Sequence, residues 1–120
     1  MGSFKESFEA YGADYRTTME RFMGNENLYL RLLDMLFQDE NMNKLGNALK
    51  SEDMTAAFEA AHTLKGVVGN LGLTPLYKAV CAIVEPLRFG KACNYSDMYQ
   101  DIQSEFEKVD VLMEHLKGGD

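Results

Sequence analysis

The 120-residue chain has no tryptophan, only two prolines and only two cysteines, and these shortages exclude several classes of protein. Cys81 and Cys93 are too few for a disulfide framework, and they lack the spacing of a metal site. Free thiols suit a reducing compartment, so we expect a cytoplasmic protein. The scarcity of proline, together with abundant leucine, alanine, glutamate, lysine and methionine, favours helical structure.

The chain also lacks a long apolar segment and an excess of positive charge. No apolar stretch approaches the roughly 18 residues that a membrane span needs, and no signal peptide is visible, so we expect no membrane association. Lysine and arginine number 12 against 19 acidic residues, which gives a net charge of −7. An acidic chain without a basic cluster is not expected to bind nucleic acid. The absence of a P-loop predicts that the chain has no ATP site of its own.

The length predicts one domain over residues 1–120, and Met1-Gly2-Ser3 is compatible with a cloning remnant. Apolar residues recur at helical spacing and no segment alternates like a strand. We predict an all-α fold, an antiparallel up-down four-helix bundle with additional short N-terminal helices. A monomer is expected because one bundle accounts for the apolar stripes. The predicted helices cover residues 4–11, 15–23, 25–39 and 41–50, then run from a cap at Ser51 or Asp53 to 71, from a cap at Thr74 to about 89, and from about Tyr95 or Ser96 to 116. In the third of these helices the predicted apolar stripe consists of Leu28, Leu32, Met35 and Leu36, widened by Tyr29 and Leu33.

Residues 61–72, Ala-His-Thr-Leu-Lys-Gly-Val-Val-Gly-Asn-Leu-Gly, form the most informative segment. Apolar residues here are spaced four, three, four and three apart, which predicts a stripe facing the core. His62 lies at the margin of this stripe, and Lys65 shares its helix face. The stripe consists of Ala57, Ala61, Leu64, Val68 and Leu71.

Two glycines in this predicted helix call for an explanation. A glycine inside a helix costs about 1 kcal/mol relative to alanine. Helical side chains lean toward the N-terminus, so a side chain at position 66 would cover the surface near His62. We therefore expect Gly66 and Gly69 to let a large partner approach His62. The predicted docking surface is apolar, with Phe58, Val67 and Asn70 as contributors.

The run His62-Thr63-Leu64-Lys65-Gly66, closed by Gly72, resembles the His-x-Leu-Lys-Gly signature of histidine-containing phosphotransfer (HPt) domains. The likeness covers roughly residues 12–116. It implies a helical bundle that carries a phosphoryl group in a two-component phosphorelay. By this resemblance His62 is the phosphoacceptor, Lys65 orients the phosphate and Gly66 gives access.

The resemblance also implies the partners of such a carrier. The phosphoryl group would come from the aspartate of one receiver domain and pass to the aspartate of another, and a sensor histidine kinase is a further partner. We expect no cofactor on this chain, because magnesium would belong to the partner receiver. The chain would then be a phosphotransfer intermediate rather than an enzyme.

One position departs from the family pattern. Family members often carry a Glu or Gln 22 residues after the histidine, where it orients the imidazole, and this chain has Val84. Glu85 is the first substitute to consider. The other candidates for this role are Tyr77, Lys78 and Arg88.

Three alternatives remain open at this point. The first is a non-catalytic adaptor that binds receivers, which stays open because Val84 replaces the usual polar residue. The second is that the chain is an excised module of a hybrid histidine kinase or the phosphoacceptor domain of a chemotaxis-type kinase. Glu59 and His62 match the Glu-x-x-His pattern of di-iron bundles, but no second copy of that pattern exists, which makes a metal site the weakest alternative.

Overall fold

Seven α-helices account for most of residues 3–118, the part of the chain that the computed structural model describes. These residues contain no strand, so the all-α prediction is confirmed. The helices are α1 (Phe4–Tyr11), α2 (Tyr15–Arg21), α3 (Glu26–Gln38), α4 (Asn41–Lys50), α5 (Met54–Asn70), α6 (Thr74–Arg88) and α7 (Tyr95–Gly118).

The last five helices build the predicted antiparallel bundle, and α3 and α4 together take one of its four positions. The hydroxyl of Tyr29, early in α3, donates to the carbonyl oxygen of Leu71 just beyond α5, at 2.6 Å. Further along, α4 packs against α5, so the α3–α4 pair runs antiparallel to α5. Helix α6 packs between α5 and α7. The short helices α1 and α2 are the additional N-terminal ones.

The core confirms the predicted stripe of α5, and on α3 it corrects one predicted position, Met35. All five stripe residues of α5 are buried. On α3, the buried residues are Tyr29, Leu33 and Leu36, whereas Met35, predicted to face inward, is 61% exposed. Aromatic contacts select this face, because the ring of Tyr29 packs edge-on against Phe8 at 5.4 Å and Phe22 at 5.2 Å.

Both ends of α5 are held by side chains. At the start, the carboxylate of Asp53 accepts a hydrogen bond from the backbone N–H of Ala56 at 3.1 Å, as an N-cap does. At the end, the guanidinium of Arg21 donates to the carbonyl oxygens of Gly69 and Asn70, at 3.0 and 3.1 Å. The carbonyl of Gly69 also accepts from the backbone N–H of Gly72 at 3.1 Å, so the guanidinium adds a second bond there and supplies a donor to the carbonyl of Asn70. The start of α5 is therefore capped locally, and its end is connected to α2 through Arg21.

Some predicted boundaries differ from the observed ones. Helix α2 ends at Arg21 rather than Met23. Thr74 was expected to cap α6, but Leu73 is the N-cap residue and Thr74 is already helical. Of the suggested cloning remnant, Met1 and Gly2 lie outside the described residues, whereas Ser3 caps α1 in a reciprocal pair with Glu6. No helix within residues 3–118 combines the length and the apolar character that crossing a bilayer requires.

Candidate functional site

His62 lies near the middle of α5, and its side chain is exposed. The residue before it, Ala61, is fully buried, as is Leu64 two residues later. Successive helical residues are rotated by about 100°. One step from the buried stripe therefore carries His62 onto the flank of the bundle, where the sequence predicted it to be.

Lys65 and Gly66 follow His62 by about one helical turn. Lys65 is half-buried, which is consistent with a stem that lies along the surface. Within residues 3–118 no carboxylate pairs with its ammonium group. Gly66 is exposed, and a Cβ atom built there would have no neighbour within 4 Å. Internal packing therefore does not require glycine at position 66.

Gly69 has a different environment from Gly66. A Cβ atom at position 69 would lie 2.9 Å from Cε1 and 3.2 Å from Cδ1 of Tyr77, on α6. The ring of Tyr77 thus occupies the space that a larger residue would fill. Close packing of α5 against α6 therefore explains the glycine at position 69. Of the two glycines, Gly66 is the one that can give a partner protein access to His62.

An apolar groove between α3 and α5 begins beside Gly66. It encloses about 380 Å³ and includes two of the three predicted docking contributors, Val67 and Asn70. The exposed side chain of Met35 forms part of the opposite side. The groove is lined by Leu32, Met35, Leu36, Asp39, Gly66, Val67, Asn70 and Leu71.

The third predicted contributor, Phe58, contacts the imidazole itself. The ring centroids of Phe58 and His62 are 5.5 Å apart, and the two planes are tilted by 32°. The guanidinium carbon of Arg88, on α6, lies 5.1 Å from the centroid of the Phe58 ring. Arg88 in turn forms an ion pair with Glu85, with 3.1 Å between Nε and Oε2. Phe58 therefore links the imidazole to α6.

None of the polar residues considered as a substitute for position 84 forms a hydrogen bond or an ion pair with His62 within residues 3–118. Val84 is fully buried in the core. Glu85 is paired with Arg88, and Tyr77 packs over Gly69, where its hydrogen bond with Cys81 raises the pKa of the phenol. No hydrogen bond joins His62 to any other of residues 3–118. The imidazole is held by an aromatic contact rather than by a hydrogen bond.

The Phe58–Arg88 contact was missed by reasoning from the sequence. The sequence shows only the pairing within each helix, through the i,i+4 spacing of Phe58 and His62 and the i,i+3 spacing of Glu85 and Arg88. The contact between α5 and α6, however, depends on the register of two helices. Local spacing carries no information about that register.

The other histidine lies apart from this arrangement. His115 is on α7, where it lines a shallow groove with Tyr11 and Lys108. Within residues 3–118, no three His, Cys, Asp or Glu side chains are grouped closely enough to hold a metal ion.

Comparison with known proteins gives one result that bears on this geometry. The model of the family described as "Hpt domain" matches residues 31–117, well over half of the chain. The matched segment contains α4, α5, α6 and most of α3 and α7, and therefore every residue of the site described above. Searches of curated proteins and of solved structures returned no match.

Proposed function

Because the chain belongs to the Hpt domain family, whose members carry phosphoryl groups on histidine in phosphorelay signalling, we propose that His62 is its phosphoacceptor. In this proposal the aspartate of one receiver domain donates the group to His62, and His62 passes it to the aspartate of another. The observation that best supports this proposal is the exposed imidazole beside Gly66, which has no side chain and leaves open space. The active site of a second protein can therefore reach the ring.

The chemistry needs little from this chain beyond the ring. The lone pair of an unprotonated imidazole nitrogen attacks the phosphorus of an aspartyl phosphate. The N–P bond forms while the P–O bond to the aspartate breaks, and the carboxylate leaves with the bonding electrons. The other ring nitrogen keeps its proton during the attack and releases it to water afterwards. In the second transfer, the unphosphorylated ring nitrogen first takes a proton back from water. An aspartate oxygen then attacks the phosphorus, and the N–P bond breaks with its electron pair returning to the ring, which leaves as neutral imidazole.

We assign to Lys65 the role of offsetting the negative charge of the incoming phosphoryl group. The phosphoryl group carries negative charge onto a chain whose net charge is already −7. An ammonium group on the same helix face, unpaired with any carboxylate in residues 3–118, can bind the phosphoryl oxygens. Magnesium and the remaining charge-stabilising groups would belong to the receiver. The proposal includes a cytoplasmic setting, since Cys81 and Cys93 are both free thiols.

A second candidate function is an adaptor that binds receivers without taking up phosphate. One observation favours it: no hydrogen bond from residues 3–118 orients the His62 ring, and Val84 is buried where an orienting side chain would be expected. The two candidates share a docking surface and differ only in phosphate uptake.

The test is incubation with radiolabelled, phosphorylated receiver domains from the same genome. Wild-type protein should acquire acid-labile, base-stable phosphate within seconds, and His62→Gln should acquire none while keeping its helical circular dichroism spectrum. His115→Gln is the matched control, because it makes the same change at the other histidine, and it should behave as wild type. Uptake by His62→Gln would show that the phosphate resides elsewhere. Receiver binding without uptake by wild-type protein would favour the adaptor.

A further inference from the structure

We infer that Phe58 positions the phosphoacceptor ring in this chain, in place of the polar side chain that position 84 lacks. The inference rests on the proposed function of His62. It assigns a role to a residue that neither touches the phosphoryl group nor takes part in proton transfer.

The first step is the geometry of the two rings. Phe58 precedes His62 by four residues, so both side chains lie on one face of α5. Because helical side chains lean toward the N-terminus, the imidazole is directed toward the ring of Phe58. A centroid separation of 5.5 Å lies within the range of favourable aromatic pairs. A tilt of 32° brings the two faces together rather than an edge and a face.

Contact through the face of the imidazole suits a nucleophile. The lone pair of a ring nitrogen lies in the plane of the ring, so a group packed against the face does not block it. The same packing limits rotation about the bond between Cβ and the ring. Phe58 can therefore restrict the direction of the lone pair without using either nitrogen.

The second step is that Phe58 is itself held in place. Its ring is half-buried against the core, and the guanidinium of Arg88 lies 5.1 Å from its centroid, within the range of a cation–π contact. The ion pair with Glu85 restrains Arg88 on α6. The orientation of the imidazole is thus coupled to the neighbouring helix through a phenyl ring.

The third step is that no other side chain among residues 3–118 forms a hydrogen bond or a ring contact with His62. Val84 is apolar and fully buried, and no hydrogen bond reaches His62 from residues 3–118. Within the same residues, the ring of His62 packs against one other ring, that of Phe58. The aromatic face is therefore the restraint that the folded chain provides.

The experiment compares Phe58→Leu with Phe58→Tyr, which keeps an aromatic face. Phe37→Leu is the matched control, because Phe37 is a half-buried aromatic residue whose ring packs against Phe106 on α7, at 5.0 Å. Each protein is phosphorylated by a phosphorylated receiver domain and, separately, by phosphoramidate. Phosphoramidate is a small donor that needs no docking surface. Single-turnover rates are measured at several receiver concentrations, and the ring protons of His62 are observed by NMR.

Phe58→Leu should slow transfer from both donors roughly three- to tenfold, the loss expected when one aromatic contact no longer holds the reacting group. The receiver concentration that gives half the maximal rate should not change. The His62 ring protons should move toward the shifts of an unstacked histidine. Phe58→Tyr should restore both the rate and the shifts, and Phe37→Leu should alter neither.

Two outcomes would overturn the inference. One is an unchanged transfer rate in Phe58→Leu. The other is a slower rate with the receiver but not with phosphoramidate, which would make Phe58 a docking residue. Failure of wild-type protein to accept phosphate from either donor would instead overturn the proposed function of His62, and it would be seen before any variant is compared.

Discussion

Substitution of Gly66 separates its proposed role in access from its effect on helix stability. Alanine at this position meets no atom within 4 Å, and the backbone is helical. Replacing glycine by alanine in a helix interior then stabilises the fold by about 1 kcal/mol. For a domain of this size, that gain should raise Tm by about 4 °C. If Gly66 instead admits the receiver, the same methyl group should slow phosphotransfer.

The size of the slowing follows from crowding at a packed contact. An added group at a closely packed site typically costs about 1–3 kcal/mol. Gly66→Ala adds one methyl group, so we expect the lower limit and a rate roughly fivefold slower. Gly66→Leu should approach the upper limit, with a rate roughly 100-fold slower. The folded domain should become more stable while the carrier becomes slower.

The assay combines thermal unfolding, followed by circular dichroism, with single-turnover transfer from a phosphorylated receiver. Gly69→Ala is the control, because its Cβ would lie 2.9 Å from Cε1 of Tyr77 and should lower Tm instead. A Gly66→Ala protein with a lower Tm would contradict the observed open space. Equal transfer rates in the wild type, Gly66→Ala and Gly66→Leu would refute the access role.

Two further predictions concern Lys65 and a buried tyrosine. Lys65→Ala should slow transfer roughly tenfold or more, because a charge-assisted contact with the phosphoryl oxygens is lost, and Lys65→Arg should recover part of the rate; unchanged single-turnover rates would exclude the role. Burial raises the pKa of Tyr29, so the folded chain keeps a phenolic proton that the unfolded chain loses above about pH 10. The contribution of the protonated Tyr29 phenol to the free energy of unfolding is therefore complete below pH 10. Above pH 10, this tyrosine alone should lower the free energy of unfolding by about 1.4 kcal/mol per pH unit. Burial also raises the pKa of Tyr11 to about 12, so a second tyrosine contributes to the same pH dependence. When the free energy of unfolding is measured by urea titration between pH 9 and 11, Tyr29→Phe should therefore reduce its fall with pH without abolishing it. An unchanged pH dependence would refute the assignment to Tyr29.

The fold was predictable where one spacing pattern dominated a helix. On α5 the alternation of four and three residues allowed only one buried face, and the structure has that face. On α3 two neighbouring rows are both apolar, one through Leu28, Leu32 and Met35 and one through Tyr29, Leu33 and Leu36. Hydrophobicity alone could not choose between these rows. The aromatic contacts of Tyr29 with α1 and the end of α2 made the choice, and the contact with Phe8 on α1 joins residues far apart in the chain.

The site was predictable to the same extent and for the same reason. The positions of His62, Lys65 and Gly66 follow from helical geometry on a single element. Gly69 was misjudged because a glycine that admits a partner and one that admits a neighbouring helix have the same local pattern. Only the position of Tyr77 on α6 distinguishes them. The link from His62 through Phe58 to Arg88 likewise crosses between helices.

The exposed position of His62 suits a carrier, which must release the phosphoryl group as readily as it accepts it. A group that is received from one aspartate and delivered to another should not be bound much more tightly on His62 than on either. An enclosed pocket with several cations would stabilise the phosphohistidine and slow its release, because binding that favours an intermediate raises the barrier to leaving it. Here the ring is exposed, and Lys65 is the one cation that shares its helix face without a carboxylate partner in residues 3–118. What the chain does supply is orientation, through anchored ends of α5 and a restrained ring, and orientation lowers the barrier in both directions alike.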